Sequence, residues 1–245
     1  MIDAVVKIGG RLGRGRSLHA LCERVAVIGR RHRLLVVPGG GAFADTVRRH
    51  QTRFRLGASA AHWMAILAMD QYGYLLADLI PGSTVVRCVR DAQEPVDAGG
   101  VAVLLPFDLV RRADALPHTW AVTSDSIAAW VAGLAEAATL VLLKDRKGFS
   151  NPVEGIDASL PMSVTVRQVA AWEAVDGHLA HLLRDASFDL WVLNGERLDA
   201  LAELLETGST NGILLPRSGS SGAALLRGRR GRSHGRPGTL PPENR

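Results

Sequence analysis

No CxxC pair occurs in the sequence, and its two cysteines, Cys22 and Cys88, stand in separate segments. That argues against a disulfide framework and a cysteine zinc site, and it favours a reducing, cytoplasmic compartment. No run of about eighteen apolar residues is present, so no membrane span is expected. The N-terminus enters a strand pattern at once, without the charged start and apolar core of a signal peptide. Aromatic residues make up 5% of the chain against 47% apolar residues overall, a balance that suits a helix-rich α/β protein. Lysine is scarce. Lys7, Lys144 and Lys147 are the only three, against 26 arginines, so a lysine here is not filled for surface charge alone.

The isoelectric point of 9.8 invites a nucleic-acid reading, but the charge is badly distributed for one. From Arg217 onward there are seven arginines and one acid, Glu243, a local charge of +6. The whole chain carries +5, so everything before that point sums to −1. The expected organisation is one domain over residues 1–216 and a basic Gly/Ser/Pro/Arg-rich tail over 217–245, disordered by composition. Such a tail could touch anionic surfaces non-specifically or contribute nothing to the activity. Without interleaved aromatics, no specific nucleic-acid partner is expected.

Residues 34–37 form a β-branched and aliphatic run, the mark of a buried strand. Gly39, Gly40 and Gly41 follow, and then a helix with Phe43 and Val47 at i, i+4 spacing. A plain βα turn needs fewer than three glycines. The alternative is a loop whose backbone lets a ligand approach, with the first helix amides facing an anion. Residues 4–8 (AVVKI) make an earlier strand that runs into Gly9 and Gly10. Lys7 is either an edge-strand lysine with its head in solvent or a phosphate-binding lysine at the carboxyl end of a parallel strand. The glycine spacing over residues 10–15 matches neither GxGxxG nor GxxxxGK[ST], so neither a Rossmann nor a P-loop reading holds.

Helices are expected over 18–28, 59–79, 166–183 and 196–205, and further strands over 84–86, 101–105, 139–143, 190–193 and 212–215. The Met and aromatic content of 59–79 suits core or oligomer packing, and a homo-oligomer is expected. Residues 116–132 place His118, Trp120, Thr123, Ser124 and Asp125 ahead of an Ala-rich helix. Helix capping accounts for one of these residues but not for the dense polar cluster. The strand at 139–143 runs into Lys144, Asp145, Arg146, Lys147, Gly148 and Phe149. His178 and His181 have a metal-compatible i, i+3 spacing, yet no third ligand lies near in sequence, so packing or surface histidines are expected.

The segments VVKIGG, VVPGGG, VTSDSIAAWVA and LLKDRKGF, in this order and at these separations, resemble the amino acid kinase family over about residues 4–215. The resemblance implies a three-layer αβα sandwich with a mainly parallel, about eight-stranded sheet. It implies an ATP-dependent kinase, with ATP over one part of the carboxyl edge and the phosphoryl acceptor over another. Carried onto matching positions, Lys7 resembles the lysine that neutralises the transferred phosphoryl group, and Asp125 the acid that orients the catalytic lysines. Gly9 and Gly10 resemble backbone donors to the nucleotide phosphates. Lys144, Asp145, Lys147, Gly148 and Phe149 resemble the turn bordering adenine and ribose, with lysine in place of threonine. Gly39, Gly40 and Gly41 match the acceptor-side loop. Mg²⁺ would be held mainly by the ATP phosphates and water, with no protein metal site.

Within the family, HTWAVTSDSIAAW resembles the branch that phosphorylates an aminomethylfuran methyl phosphate in methanofuran-type cofactor synthesis. There His118, Trp120, Thr123 and Ser124 would face the acceptor, the tryptophan by stacking on a small ring. A phosphate acceptor is already anionic and needs no general base, which agrees with the lack of a justifiable His–Asp dyad. The family's carboxylate kinases place a second catalytic lysine in the C-terminal third, whereas residues 151–245 contain no lysine. Lys144, Lys147 or an arginine such as Arg184 could supply that charge. The expectation preferred here is a phosphate-acceptor branch that does without it. The competing readings are a carboxylate kinase forming an acyl phosphate and a non-catalytic nucleotide or oxyanion binder on the same fold.

Overall fold

The computed structural model describes residues 1–15, 17–146, 149, 162–173 and 175–219. The chain opens with β1 (Ala4–Ile8), a 3₁₀ turn (Gly10–Arg14), α1 (Leu18–Gly29), β2 (Leu34–Pro38), α2 (Gly41–Phe54) and α3 (Ala58–Leu79). Next come β3 (Ser83–Val86), α4 (Gln93–Asp97), β4 (Val101–Leu104), α5 (Pro106–Ala113), α6 (Ser124–Leu134) and β5 (Thr139–Lys144). The last described part holds β6 (Met162–Ser163), α7 (Val166–Ala170), α8 (Leu179–Leu182), β7 (Asp189–Asn194), α9 (Ala200–Thr207) and β8 (Ile213–Leu215).

Eight strands form one sheet in the order β3-β4-β2-β1-β5-β7-β8-β6. Every pairing is parallel except β7 with β8. Strand side chains alternate between the two faces, which divides the core. Val5, Leu35, Leu140 and Leu142 join the apolar side chains of α5 to α8 on one face. Val6, Val36, Val141 and Leu143 join those of α1 and α9 on the other. Helices therefore cover both faces, giving the expected three layers. The central strands β1 and β2 are buried along their whole length, as their near-continuous aliphatic runs require.

The register places the functional side chains. Lys7 lies opposite Leu142 in the β1–β5 ladder. Lys144 stands two residues beyond Leu142 and so shares its face with Lys7. That face is covered by α6, which carries Asp125 in its first turn. Parallel strands all end on one edge, and both lysines lie near it.

Two local expectations need correction. Residues 166–183 are not one helix. The first piece, α7, has a full capping box made by Thr165 and Gln168. It ends at Ala170, and α8 resumes at Leu179 after a turn through Asp176 and Gly177. Pro106 opens α5 at a position where a missing amide costs nothing. Gly10 and Gly13 belong to the 3₁₀ turn. The helix expected from residue 196 starts at Ala200. Most of the basic tail, from residue 220, lies outside the described residues, as do Lys147 and Gly148. No helix is long and apolar enough to cross a membrane among the described residues.

Candidate active site

A cleft of about 830 Å³ opens over the carboxyl edge of the sheet. Its floor is a buried ionic cluster. Lys7 Nζ lies 2.9 Å from Asp125 Oδ1, and Lys144 Nζ donates to Asp125 Oδ2 at 2.5 Å. The three residues are 5%, 3% and 7% exposed. Burying charge is costly unless it is paired, so this cluster is there for a reason other than packing. One carboxylate between two ammonium groups leaves a net positive charge. Burial alone would raise the Asp125 pKa, but Lys144 and then Lys7 outweigh it and hold the carboxyl well below its usual range. Burial, together with Lys7, lowers the Lys144 pKa against the pull of Asp125.

The structure therefore brings Lys7 and Asp125 together as the sequence suggested. It also places Lys144 beside them, at the end of β5, where the resemblance had set it at the adenine border. The preferred expectation is a branch that does without a second lysine; the geometry sets Lys144, one of the alternatives named for that charge, as a second buried ammonium at Asp125. Asp145, the next residue, lines the cleft and faces Arg11 at 3.4 Å. Phe149 packs against the core and its amide donates to the Asp145 carbonyl at 2.8 Å, so it shapes the turn rather than the cleft wall.

The two glycine turns interlock. A Cβ on Gly10 would sit 2.1 Å from the Gly41 nitrogen, and one on Gly39 would sit 2.5 Å from the Gly10 nitrogen. Gly41 has φ +53°, a conformation that favours glycine. Two of the expected backbone donors are spent within the fold: the Gly9 amide donates to the Leu143 carbonyl and the Gly39 amide to the Ile8 carbonyl, both at 2.9 Å. Gly10, Gly40 and Gly41 line the cleft.

Trp120 lines the cleft with its Nε1 donating to Gln51 Oε1 at 2.5 Å and the Arg48 guanidinium 4.3 Å over its ring. His118 also lines it, but both ring nitrogens are engaged, by Ser59 Oγ at 2.9 Å and Asp114 Oδ1 at 2.8 Å. Ser124 is buried at the cleft wall. Thr123 also lines the cleft, but its amide and its hydroxyl both donate to Asp176 Oδ2, at 2.8 and 2.9 Å. His178 and His181 lie ring to ring at 5.2 Å. No group of three or more His, Cys, Asp or Glu among the described residues is placed to hold a metal ion.

Two residues were missed by sequence reasoning. His62, on α3, is 6% exposed, lines the cleft and stacks on His118 at 4.5 Å. Burial and then His118 push its pKa down to about 4, against a weaker pull from Asp114, so it is neutral at pH 7. Asp176 lines the cleft and binds the first turn of α6. The Asp176-Gly177 pair is a turn signal that could have broken the expected helix there.

The amino acid kinase family model matches residues 4–180. The chain belongs to the amino acid kinase family. It is a phosphotransferase, and ATP use follows from the family. Over 202 residues it is 25% identical to [5-(aminomethyl)furan-3-yl]methyl phosphate kinase from Methanocaldococcus jannaschii, covering 82% of this chain and 92% of that protein. Among solved structures it is similar to uridylate kinase from Archaeoglobus fulgidus, with TM-score 0.66, 16% identity and coverage of 87% of this chain and all of that one. UMP kinase from Ureaplasma parvum gives TM-score 0.65 and 16% identity, over 89% of this chain and all of that one. At that identity the two structures attest the shared kinase fold.

Proposed function

We propose that this kinase transfers the γ-phosphoryl group of ATP to a phosphate monoester, an (aminomethylfuranyl)methyl phosphate of methanofuran-type cofactor synthesis. The observation that carries the proposal is the buried Lys7–Asp125–Lys144 cluster on the cleft floor. Phosphoryl transfer asks a protein for positioning and for positive charge where the equatorial oxygens become crowded with charge. Lys7 and Lys144 supply that charge at fixed positions, and Asp125 orients both. An acceptor phosphate oxygen forms the new bond to the γ-phosphorus while the bond to the β–γ bridging oxygen breaks. ADP leaves with the electron pair. The attacking oxygen carries no proton, so the step needs no general base, and the commitment of both His118 nitrogens is consistent with that.

On this reading the nucleotide phosphates lie toward Gly10 and Asp145, and the acceptor toward Gly40, Gly41 and Trp120. Ala65, Ile66 and Met69 give the acceptor end an apolar wall suited to a small ring. With its one buried floor carboxylate held by two lysines, the cleft does not fit a resident metal ion. Mg²⁺ would enter as part of the substrate, on the ATP phosphates. The proposal includes a cytoplasmic location, one catalytic domain over 1–216, and self-association through the exposed apolar residues Leu67, Tyr74 and Leu75 of α3. Light scattering of the purified protein checks the last point, and a monomer at micromolar concentration would refute it.

The test is turnover. ATP with a furan methyl phosphate should yield ADP and a diphosphate visible by ³¹P NMR, and Lys7→Ala should abolish it. Failure with every phosphomonoester would overturn the proposal. A second reading, a carboxylate kinase, is favoured by Lys144, because a second ammonium beside Asp125 also suits acyl-phosphate formation. Hydroxylamine trapping separates the two, since only acyl phosphates give hydroxamates. The motive for a non-catalytic binder was the missing second lysine, and Lys144 removes it.

A further inference from the structure

The N-terminus of α6 is held in an unusual way. A helix cap usually comes from the N-cap side chain, which accepts from the amide two or three residues on. Here the N-cap is Thr123, and its hydroxyl lies 3.5 Å from the Asp125 amide, a long contact. The strong acceptor is Asp176, about fifty residues away in sequence. Its Oδ2 accepts from the Thr123 amide (2.8 Å), the Thr123 hydroxyl (2.9 Å) and the Ser126 amide (2.9 Å). Its Oδ1 accepts from the Ser126 hydroxyl and, at 2.9 Å, from the Leu179 amide. One carboxylate thus joins the first turns of α6 and α8. The His178 amide adds a bond to the Ala121 carbonyl at 3.0 Å, on the segment leading into α6.

Asp125 stands between the two residues that Asp176 grips. Because the cap comes from outside the helix, Asp125 is released from capping and gives one oxygen to each lysine. We propose that Asp176 is a positioning residue for phosphoryl transfer, clamping the first turn of α6 so that Asp125 stays between Lys7 and Lys144. The inference rests on the reading of that cluster as the phosphoryl site. It assigns Asp176 no contact with substrate.

A second consequence separates this role from a merely structural one. The charged groups that act on Lys144 include Asp125 on α6, Lys7 on β1 and Asp176, with Asp145 next to it in the chain. Asp176 favours the charged form of Lys144, in the same sense as Asp125 and against Lys7. Removing the Asp176 charge while keeping its shape should therefore lower the titration midpoint of Lys144.

The scarcity of lysine makes this measurable. In protein carrying ¹³Cε-lysine, three side chains give signals, and Lys144→Arg identifies the one from Lys144. In Asp176→Asn the Lys144 midpoint should fall, because a charge that favours its ammonium form is lost. The alkaline limb of kcat should fall by the same amount. We expect kcat to drop by about tenfold to a hundredfold while the KM for ATP stays within about threefold. Asp176→Glu, which restores the charge, should return the Lys144 midpoint toward wild type. A folded Asp176→Asn protein with wild-type kcat and wild-type Lys144 midpoint would overturn the proposal. Should that variant fail to fold, Ser126→Ala removes one grip and should lower kcat, and an unchanged kcat would overturn it equally. If the wild-type protein turns over no acceptor, the functional reading fails by itself. The Lys144 titration then still decides whether Asp176 acts on the cluster.

Discussion

The floor and the mouth of the cleft are both cationic, but they are built from different residues in different settings. At the floor, Lys7 and Lys144 are buried on adjacent strands and share Asp125. At the mouth, Arg11, Arg14 and Arg48 have side chains 50–58% exposed, and they pair with Asp145 and Asp45. A compact ammonium fixed by one carboxylate is a point charge whose position is set by the sheet register. An exposed guanidinium on a flexible stem is screened by salt and attracts anions over a broader area. The floor is suited to a reacting group, and the mouth to gathering and holding charged substrates. Substitutions at the two levels should therefore fail in different ways.

The largest effect is expected at the floor. Asp125→Ala leaves two ammonium groups buried without their carboxylate, which should cost about 3–5 kcal/mol of stability in urea unfolding. Lys7→Ala should leave the fold measurable and lower kcat by about a hundredfold or more. A Lys7→Ala enzyme with near-normal kcat and a raised KM would erase the distinction between the levels.

Next in size is the alkaline behaviour of Lys144. Its folded pKa lies below the free-lysine value of 10.5. Between those two points the unfolded chain binds more protons than the folded one, so stability rises with pH there. Over the same window Lys144 loses its charge, and kcat should fall. Opposite trends in stability and kcat above neutral pH are the signature, and parallel trends would assign the limb to another group. Asp125 gives a slope of the same sign in the acid range. The stability it contributes is present above the ordinary aspartate value and is lost as the pH falls below it toward the lowered folded value.

A smaller effect is expected at the mouth. Arg14→Ala and Arg48→Ala should each change stability by less than about 1 kcal/mol, as exposed ion pairs do. They should raise substrate KM several-fold at low salt with kcat kept, and the difference should shrink at high salt. The smallest signal is at His62, whose imidazole should stay neutral down to about pH 4 in an NMR titration. A midpoint near the ordinary 6.5 would let the imidazole charge in mildly acid solution and change the charge balance of the cleft.

Most of the floor was legible in the sequence. Lys7 precedes a Gly-Gly pair at a strand end, and Asp125 opens a helix behind a polar cluster. The partnership of Lys144 was not legible. It depends on β5 lying beside β1 and on Lys7 facing Leu142, and neither neighbour nor register is written in either segment alone. Asp176 was hidden for a different reason. An apolar pattern running through residues 166–183 suggested an unbroken helix, and the tertiary bonds to α6 that stabilise the break are invisible to periodicity. The strands of the sheet were legible within a residue or two because their aliphatic runs are buried on both sides. The two-residue β6 gave no comparable signal, and the antiparallel direction of β8 is not written in its segment.

The interlocked glycines set a limit on how this site can be altered. Gly10, Gly39 and Gly41 crowd one another's Cβ space, so the two glycine turns form a single joint. A side chain added at Gly10 or Gly39 displaces both turns, and on the proposed placement of the substrates the damage would be recorded for both at once. Adaptation to a different acceptor has to proceed through the outer wall instead, where Ala58, Ala65, Met69 and Trp120 face the cleft without meeting the joint. Redesign of this kinase is best begun there, with the glycine joint left untouched.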